Sequence, residues 1–299
     1  FMEDSYVDGK IYYIPFQIST MGLYYNKDAF KEGCLDPEAP PTTWEELAEY
    51  GQKLTNDGRY GVGIALNSGS AQWAFTGFCL QNSTDGQNLM SEDGKSVYFN
   101  TPENVEALQF WLDLQNEYKC MAEGIVQWTD LPTQFLAGEV AMIYHTTGNM
   151  ANIHDNADFD FGTAFLPAHK RVGAPTGGGN FYISSNISED RVQAAWKFIK
   201  FATSTDRAAQ WSLDTGYVAT RQSCFDTDLI KDYYAEVPQA SVAYEQLPYA
   251  KPELTTYNAA EIWRVLNDNI QAAVVGDMSA QEALDAAQEQ AEEVLSEYQ

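Results

Sequence analysis

A short segment near the start of the chain constrains the fold most, because two strand signals and a helix signal follow one another directly. Residues 10–14 are rich in β-branched and aromatic side chains, and Pro15 is expected to end that strand. Residues 22–25 form a second apolar run, and Asn26 is expected to open a helix. Strands that alternate with helices in this way predict the α/β fold class.

Helix-start signals recur further along the chain and continue the same alternation. Thr43 and Glu46 have the spacing of a capping box, as do Ser279 and Glu282 near the other end. Residues 170–179 are rich in glycine and proline and are expected to form a connection before the next strand. The length of 299 residues is sufficient for two globular units, each with its own core.

The charge balance excludes one large class of partner. The chain has 17 basic and 43 acidic residues, which gives a formal net charge of −26. A charge of this sign repels a phosphate backbone, so nucleic acid is not expected to be a partner. The acidic excess is best explained as a solvated surface that aids solubility. No apolar run approaches the roughly 20 residues that span a bilayer.

Cysteine spacing bears on metal binding and on disulfide formation. Cys34, Cys79, Cys120 and Cys224 are widely spaced, and none belongs to a Cys-x-x-Cys motif. A zinc site with thiolate ligands is therefore not expected. Four cysteines allow three complete pairings, among which the sequence does not choose, and free buried thiols are the favoured state.

Sequence motifs that indicate catalysis are missing. The chain has no Gly-x-Ser-x-Gly elbow, no P-loop, no Gly-x-Gly-x-x-Gly and no His-Glu-x-x-His. His145, His154 and His169 have no partner at metal-ligand spacing and are expected to lie at the surface or in a hydrogen-bonded core. Carboxylates are so numerous that no glycosidase acid–base pair can be singled out. Neither an enzyme nor a cofactor is predicted.

Aromatic residues are the positive signal for a function. The chain has 7 Trp, 18 Tyr and 15 Phe. Sugars stack their C–H faces on aromatic rings, and their hydroxyl groups need fixed polar partners. A carbohydrate pocket therefore combines Trp or Tyr with polar side chains and backbone amides, although most of the aromatic residues here must belong to the core.

Three stretches in a fixed order carry a family resemblance. They are Gly9-Lys-Ile-Tyr-Tyr-Ile-Pro15, Tyr24-Tyr-Asn-Lys-Asp28 and Pro41-Thr-Thr-Trp-Glu-Glu-Leu47. With them, the chain resembles the extracellular solute-binding proteins of carbohydrate ABC importers, the group that includes maltose- and glycerol-3-phosphate-binding proteins. The resemblance implies a type II periplasmic-binding-protein fold, in which hinge strands join two α/β lobes and the ligand binds in the cleft between them.

The resemblance also implies how the chain is divided between the lobes. The expected segments are 1–16 in lobe 1, 17–20 as a hinge, 21–166 in lobe 2, 170–213 back in lobe 1, and 217–299 as the C-terminal helices of lobe 2. Family members have a long N-terminal part of lobe 1 before the point that matches this start. Lobe 1 is therefore expected to be truncated, with apolar residues such as Trp196, Phe198 and Phe201 partly uncovered.

A set of ligand-binding residues follows from the same resemblance. They are Gln17, Ser19, Trp73, Trp128, Thr147, Gly148, Gly178, Gly179, Tyr217, Arg221 and Trp263. Several have a structural alternative: core packing for Trp73 and Trp263, a solvent-facing hinge for Gln17 and Ser19, a flexible connection for Gly178 and Gly179, and a surface salt bridge for Arg221. Three consecutive glycines at 177–179 would let backbone amides approach a ligand closely.

Two of these positions bear on the identity of the ligand. Trp263 falls where the maltose-binding relative has a sugar-stacking Trp and the glycerol-3-phosphate-binding relative has a phosphate-binding Arg. Gly148 falls where the maltose type has a Trp, so the maltose inventory of side chains is not reproduced. The implied ligand is a neutral mono- or oligosaccharide of unknown identity.

The resulting prediction is the binding component of a carbohydrate ABC importer, which delivers its ligand to the transmembrane subunits of a permease without making or breaking a bond. It would lie outside the cytoplasmic membrane, as a lipoprotein on a Gram-positive cell or free in a periplasm. A lipid anchor outside this chain would be its only link to the membrane. The alternatives are a carbohydrate-active enzyme such as a glycosidase, and a sensory or adhesion module on the same fold.

Overall fold

A computed structural model describes residues 6–7, 9–67 and 69–299. This part of the chain has the strands β1 (Tyr6–Val7), β2 (Lys10–Ile11), β3 (Ile14–Asn26), β4 (Tyr60–Gly63), β5 (Val140–Thr146), β6 (Phe161–Ala164), β7 (Ala174–Phe181) and β8 (Ala250–Lys251). Its helices are α1 (Lys27–Glu32), α2 (Trp44–Leu54), α3 (Ala71–Asn82), α4 (Pro102–Asn116), α5 (Leu131–Leu136), α6 (Met150–Asn156), α7 (Glu189–Ala202), α8 (Thr205–Thr215), α9 (Asp228–Glu236), α10 (Ser241–Gln246), α11 (Ala259–Val274) and α12 (Ala280–Leu295). The predicted α/β class is confirmed.

The long strand β3 differs from the prediction that Pro15 ends a strand. β3 continues through Pro15 and pairs with β7 in antiparallel fashion, with a shift of register between Pro15 and Gln17. An irregular point in a ladder tolerates proline, because no N–H is needed from that residue. The first predicted strand is thus divided between β2 (Lys10–Ile11) and the start of β3, and β3 includes the whole of the second. The last residue of β3, Asn26, caps α1 as predicted.

The glycine-rich segment also differs from its prediction. Residues 174–179 were expected to belong to a connection, but they form most of β7. Their backbone pairs with β3, and the glycines lie where the two backbones approach closely. Glycine in a strand often marks such an approach, and composition alone does not distinguish it from a flexible loop.

The helix-start signals agree with the structure, although the first capping box differs in its reciprocal half: the Glu46 carboxylate accepts hydrogen bonds from the backbone N–H and the hydroxyl of Thr42. The Thr43 hydroxyl accepts a hydrogen bond from the Glu46 backbone N–H (3.1 Å), and α2 follows at once. Ser279 and Glu282 form the complete reciprocal capping box at the start of α12. Within the described residues, no helix has both the length and the apolar character that crossing a membrane requires.

Unit 2 is the larger of two compact units and comprises Met21–His145, Asn156–Pro175 and Pro248–Gln299. In it, β4 and β5 pair in parallel, β6 pairs with the second part of β3, and β8 pairs with the start of β7. Its core is rich in aromatic residues, and the Phe78 and Trp111 rings stack with their centroids 5.5 Å apart. Burial of such large side chains is the main source of its stability.

Unit 1 comprises Phe1–Thr20, Thr146–Asp155 and Thr176–Leu247. The first part of β3 pairs with β7, and a small core forms around Cys224 and Ile230. Compared with unit 2, fewer large side chains are buried here, so less hydrophobic stabilisation is available.

For two segments of unit 1, the resemblance implies the other lobe. Residues 146–155 and 217–247, which the resemblance assigns to lobe 2, belong to unit 1. The Thr20 backbone N–H donates a hydrogen bond to Thr147 Oγ1 (3.1 Å), and Gln246 Nε2 donates one to Thr20 Oγ1 (2.9 Å). These buried hydrogen bonds connect both segments to β3, and they join residues that are far apart in the sequence.

Apolar side chains remain exposed on α7. Trp196, Phe198 and Phe201 are 39%, 58% and 57% exposed. The Arg207 guanidinium lies 5.0 Å from the centroid of the Phe201 ring, in a cation–π contact.

The four cysteines are free thiols. Cys79, Cys120 and Cys224 are buried, as predicted, and burial raises the pKa of Cys120 to about 12. Cys34 is exposed instead, because it follows the end of α1 in a left-handed turn with φ +57°.

Candidate functional site

Two paired strands of unit 1 carry the first group of predicted site residues. In the β3–β7 pair, Gln17 lies opposite Gly179 and Ile18 lies opposite Gly178. Gln17 Oε1 accepts a hydrogen bond from the indole Nε1 of Trp211 on α8 (2.8 Å). The Gln17 side chain is therefore held in place by a residue that sequence reasoning did not select.

Gly178 and Gly179 have different structural roles. Gly178 has φ +136°, and a Cβ at this position would overlap the carbonyl oxygen of Gln17. Glycine is therefore required at 178 by the close pairing of β7 with β3. A Cβ at Gly179 would lie 3.7 Å from Gln17 Cγ, an ordinary contact. Position 179 therefore has room for a small side chain.

A second group of predicted residues meets beside β3. The Val218 backbone N–H donates to the Ile18 carbonyl (2.8 Å), which brings the preceding residue, Tyr217, to this strand. The Tyr217 ring packs so closely on Gly148 that a Cβ there would lie 2.6 Å from Tyr217 Cζ. Gly148 therefore leaves the space in which the Tyr217 ring packs.

The predicted hydroxyl residues of unit 1 are buried. Thr147 is 5% exposed and accepts a hydrogen bond from the Thr20 backbone, while Ser19 is 3% exposed. Thr20 and Gln246, which bond to each other, are both fully buried. Sequence reasoning missed these two residues, because a polar residue inside a strand or helix carries no mark of its distant partner.

Arg221 is the only charged member of the predicted site. Its Nε donates a hydrogen bond to the carbonyl of Thr203 (2.6 Å), the residue that ends α7. A cation at the carboxyl end of a helix is stabilised by the helix dipole. This contact gives Arg221 a structural role that differs from the predicted alternative of a salt bridge.

In unit 2, two predicted tryptophans lie together. The Trp73 and Trp128 rings meet edge to face, with centroids 5.6 Å apart. Trp73 is 9% exposed and belongs to the core, while Trp128 is partly buried. The Trp128 backbone N–H donates to Asn67 Oδ1 (2.8 Å). A partly exposed indole supported by a buried one is a suitable surface for a sugar ring.

His145 completes this aromatic group, and sequence reasoning did not select it. Its ring stacks on Trp128 with centroids 3.9 Å apart and an interplanar angle of 21°. The side chain is 3% exposed, its Nε2 lies 3.4 Å from the Trp128 carbonyl oxygen, and its Nδ1 has no partner among the described residues. Burial lowers the His145 pKa to about 4, against a smaller opposing effect of the Trp128 carbonyl, so the imidazole is neutral at physiological pH.

Trp263 lies on α11 and, like Trp128, is partly buried against the core of unit 2. Its indole Nε1 donates to the Leu254 carbonyl (2.6 Å), so only the ring face remains for a ligand. One turn further along α11, Asn267 exchanges two hydrogen bonds with Gln72 at the start of α3, both 2.9 Å long. Trp263 and Asn267 share a helix face, so this link sets the orientation of α11 beside α3.

The predicted residues therefore form two chemical groups. Unit 1 contributes backbone and uncharged polar groups along β3 and β7, with Tyr217 beside them and Arg221 as the one charged residue. Unit 2 contributes indole rings. Groups of the first kind are suited to hydrogen bonding with hydroxyl groups, and rings of the second kind are suited to stacking. Among the described residues, no group of three or more His, Cys, Asp or Glu could hold a metal ion.

Comparison with protein families and curated proteins gives a consistent result. The family of bacterial extracellular solute-binding proteins matches residues 1–239. The sn-glycerol-3-phosphate-binding periplasmic protein UgpB of Salmonella typhimurium is 30% identical over 304 residues, covering 95% of this chain and 67% of that protein. UgpB of Escherichia coli K12 is 29% identical over the same length.

Solved structures agree with these relatives. UgpB from Mycobacterium tuberculosis in complex with glycerophosphocholine superposes with a TM-score of 0.88 at 26% identity, covering 99% of this chain and 74% of that one. The cyclic α-maltosyl-1,6-maltose binding protein from Arthrobacter globiformis gives a TM-score of 0.83 at 27% identity, covering 99% of this chain and 75% of that one.

Proposed function

The chain belongs to the bacterial extracellular solute-binding proteins, and we propose that it captures a neutral mono- or oligosaccharide for an ABC importer. The family consists of binding proteins for transport, so the glycosidase alternative is set aside. The periplasmic-binding-protein fold, implied by the resemblance, is shared with the superposed structures.

The chemical character of the predicted site residues supports a sugar. In unit 2, the Trp73–Trp128 pair supplies an aromatic surface with a buried support. In unit 1, the β3–β7 pair and Tyr217 supply uncharged polar groups. A pyranose combines an apolar face with hydroxyl groups and therefore matches both kinds of surface. The aromatic pair is the observation that carries the proposal.

A phosphate ester is the competing ligand, because the names of several relatives refer to glycerol 3-phosphate or glycerophosphocholine. A phosphate needs cationic or multiple N–H partners, and Arg is its preferred side chain. Trp263 supplies no charge, and Arg221, whose Nε is bonded to the Thr203 carbonyl, is the single cation among the predicted site residues. The net charge of −26 also repels a dianion over long distances.

A ligand screen tests this preference. Calorimetric titration with maltose, maltotriose, other neutral oligosaccharides, glycerol 3-phosphate and glycerophosphocholine should give measurable binding only with a neutral sugar. The reason is that no predicted site residue in unit 2 can compensate the charge of a phosphate. If glycerol 3-phosphate or glycerophosphocholine proves the best ligand, the carbohydrate proposal is wrong, and the function follows the curated relatives.

Replacement of Trp263 by alanine should weaken binding of the sugar found in that screen by about 1–3 kcal/mol, the range expected for loss of a stacked indole. The unfolding midpoint, measured with urea, shows whether the variant remains folded. Trp196→Ala is the matched control, since Trp196 is an exposed indole on α7 and should leave the affinity unchanged. Equal affinities for Trp263→Ala and the parent would assign Trp263 to core packing.

Delivery to a permease completes the proposed function. The protein would act outside the cytoplasmic membrane, either as a lipid-anchored protein on a Gram-positive surface or free in a periplasm. Stimulation of the ATPase of the cognate permease by the liganded protein would distinguish transport from a sensory or adhesive role on the same fold. Sugar binding without any effect on the permease would favour the latter role.

A further inference from the structure

We propose that His145 is a positioning residue that holds the Trp128 indole in its ligand-binding orientation. The inference rests on the proposed function, because Trp128 is there a sugar-stacking residue. His145 was selected by its contacts in the folded chain and not by any motif. It lies near the end of β5, immediately before the segment that carries Thr147 and Gly148.

Trp128 needs such support because of its place in the chain. It lies in the loop between α4 and α5, where no helix or strand ladder determines its orientation. One backbone hydrogen bond to Asn67 Oδ1 fixes the Trp128 N–H, and the Trp73 ring meets the indole edge to face. Neither contact is a parallel stack on the indole. Parallel stacking fixes the plane of a ring more directly, and stacking on a sugar depends on a fixed plane.

His145 supplies the missing contact from a rigid element. Its ring covers one face of the Trp128 indole at 3.9 Å, and its Nε2 lies 3.4 Å from the carbonyl oxygen of the same residue. Ring and backbone of Trp128 are thus both contacted by one side chain. Because β5 is a buried strand, the sheet fixes the position of the His145 imidazole. The imidazole in turn fixes the orientation of Trp128 in its loop.

The protonation state of the imidazole fits this role. A carbonyl oxygen can only accept a hydrogen bond, so the proton of the neutral ring belongs on Nε2. Nδ1 then carries a lone pair and is buried without a partner among the described residues. A flat, uncharged ring provides the stacking, and its one N–H faces the Trp128 carbonyl oxygen. Phenylalanine would keep the stacking and lose the N–H, whereas glutamine would keep an N–H and lose the stacking.

The first test uses the full chain without any ligand. The seven tryptophans are labelled as 5-fluorotryptophan, and the Trp128 resonance is assigned by its loss in Trp128→Phe. His145→Leu should shift and broaden the Trp128 fluorine resonance and leave that of Trp196 unchanged. His145→Phe should keep a sharp Trp128 resonance, because it retains the stacking. An unchanged Trp128 resonance in His145→Leu would overturn the proposal.

The second test measures affinity, with maltotriose as the probe. His145→Leu should bind maltotriose about tenfold or more weakly than the parent, and His145→Phe within about threefold of it. The double variant His145→Leu/Trp128→Ala should lose no more affinity for maltotriose than Trp128→Ala alone, because both substitutions remove the same interaction. Additive losses would show that His145 acts independently of Trp128 and would contradict the proposal.

Stability and ligand identity are controlled separately. Tyr144→Phe, at the neighbouring residue of β5, removes a buried hydroxyl and should change neither the fluorine spectrum nor the affinity. If His145→Leu does not fold, His145→Gln provides the variant without stacking. If the parent itself binds neither maltotriose nor another sugar, the proposed function fails, whereas the ligand-free fluorine spectrum still decides whether His145 positions Trp128.

Discussion

Gly178→Ala is expected to lower the free energy of unfolding by about 3 kcal/mol, the sum of backbone strain and steric overlap at a strand pair. Gly178 adopts φ +136°, and an alanine Cβ would overlap the Gln17 carbonyl oxygen. Relief would require β7 to move away from β3, which would break the hydrogen bonds that pair the two strands. Urea unfolding of the parent and the variant measures the change directly.

Gly179→Ala is the matched control for this prediction. The neighbouring glycine has room for a methyl group, because its Cβ would lie 3.7 Å from Gln17 Cγ. Its replacement should change the free energy of unfolding by less than about 1 kcal/mol, in either direction. Equal stability of the two variants would show that the β3–β7 pair accommodates a Cβ at position 178 without moving apart. A folded Gly178→Ala should also bind sugar less well, since Gln17 would be displaced.

Acid should destabilise this protein through His145. The His145 pKa is lowered to about 4 in the folded protein by burial, whereas the pKa of a histidine in the unfolded chain is near its ordinary value of 6.5. Between these values the unfolded chain binds the additional proton, so the free energy of unfolding falls as pH falls from 6.5 towards 4. This pKa difference corresponds to a loss of about 3 kcal/mol in the free energy of unfolding near pH 4.

The variant His145→Phe isolates this contribution. It keeps a ring stacked on Trp128 and removes the titrating group, so the parent should lose about 3 kcal/mol more than the variant between pH 7 and pH 4. Tyr144→Phe should show the same pH dependence as the parent, because it changes the same strand without a group that titrates in this range. Parallel stability curves for the parent and His145→Phe would mean that His145 accepts a proton freely in the folded state.

Helix starts and family membership could be predicted from the sequence. The capping box of Ser279 and Glu282 is complete within one helical turn, so the residues that form it are also neighbours in the chain. The order of the Gly9–Pro15, Tyr24–Asp28 and Pro41–Leu47 stretches indicated the solute-binding family, which the family and structure comparisons confirm. Local hydrogen bonding and motif order are properties of the sequence itself.

Strand pairing and the site contacts depended on the tertiary structure. Pro15 lies inside β3 because β7 pairs with it at an irregular point, and Gly178 is required because Gln17 approaches it from the other strand. Trp211 holds Gln17 from 194 residues away along the chain. No local pattern encodes such a partner.

The aromatic group of unit 2 shows the same limit. Sequence reasoning selected Trp73 and Trp128 as separate site residues and regarded His145 as an ordinary histidine. Only in the folded chain does the His145 ring stack on Trp128, and only there is the His145 Nδ1 buried away from solvent. The chain itself determined which residues cap its helices and which family it joins, because those signals lie between neighbours. The tertiary structure alone decided which rings and backbones meet, because burial and stacking act between residues that the sequence keeps far apart.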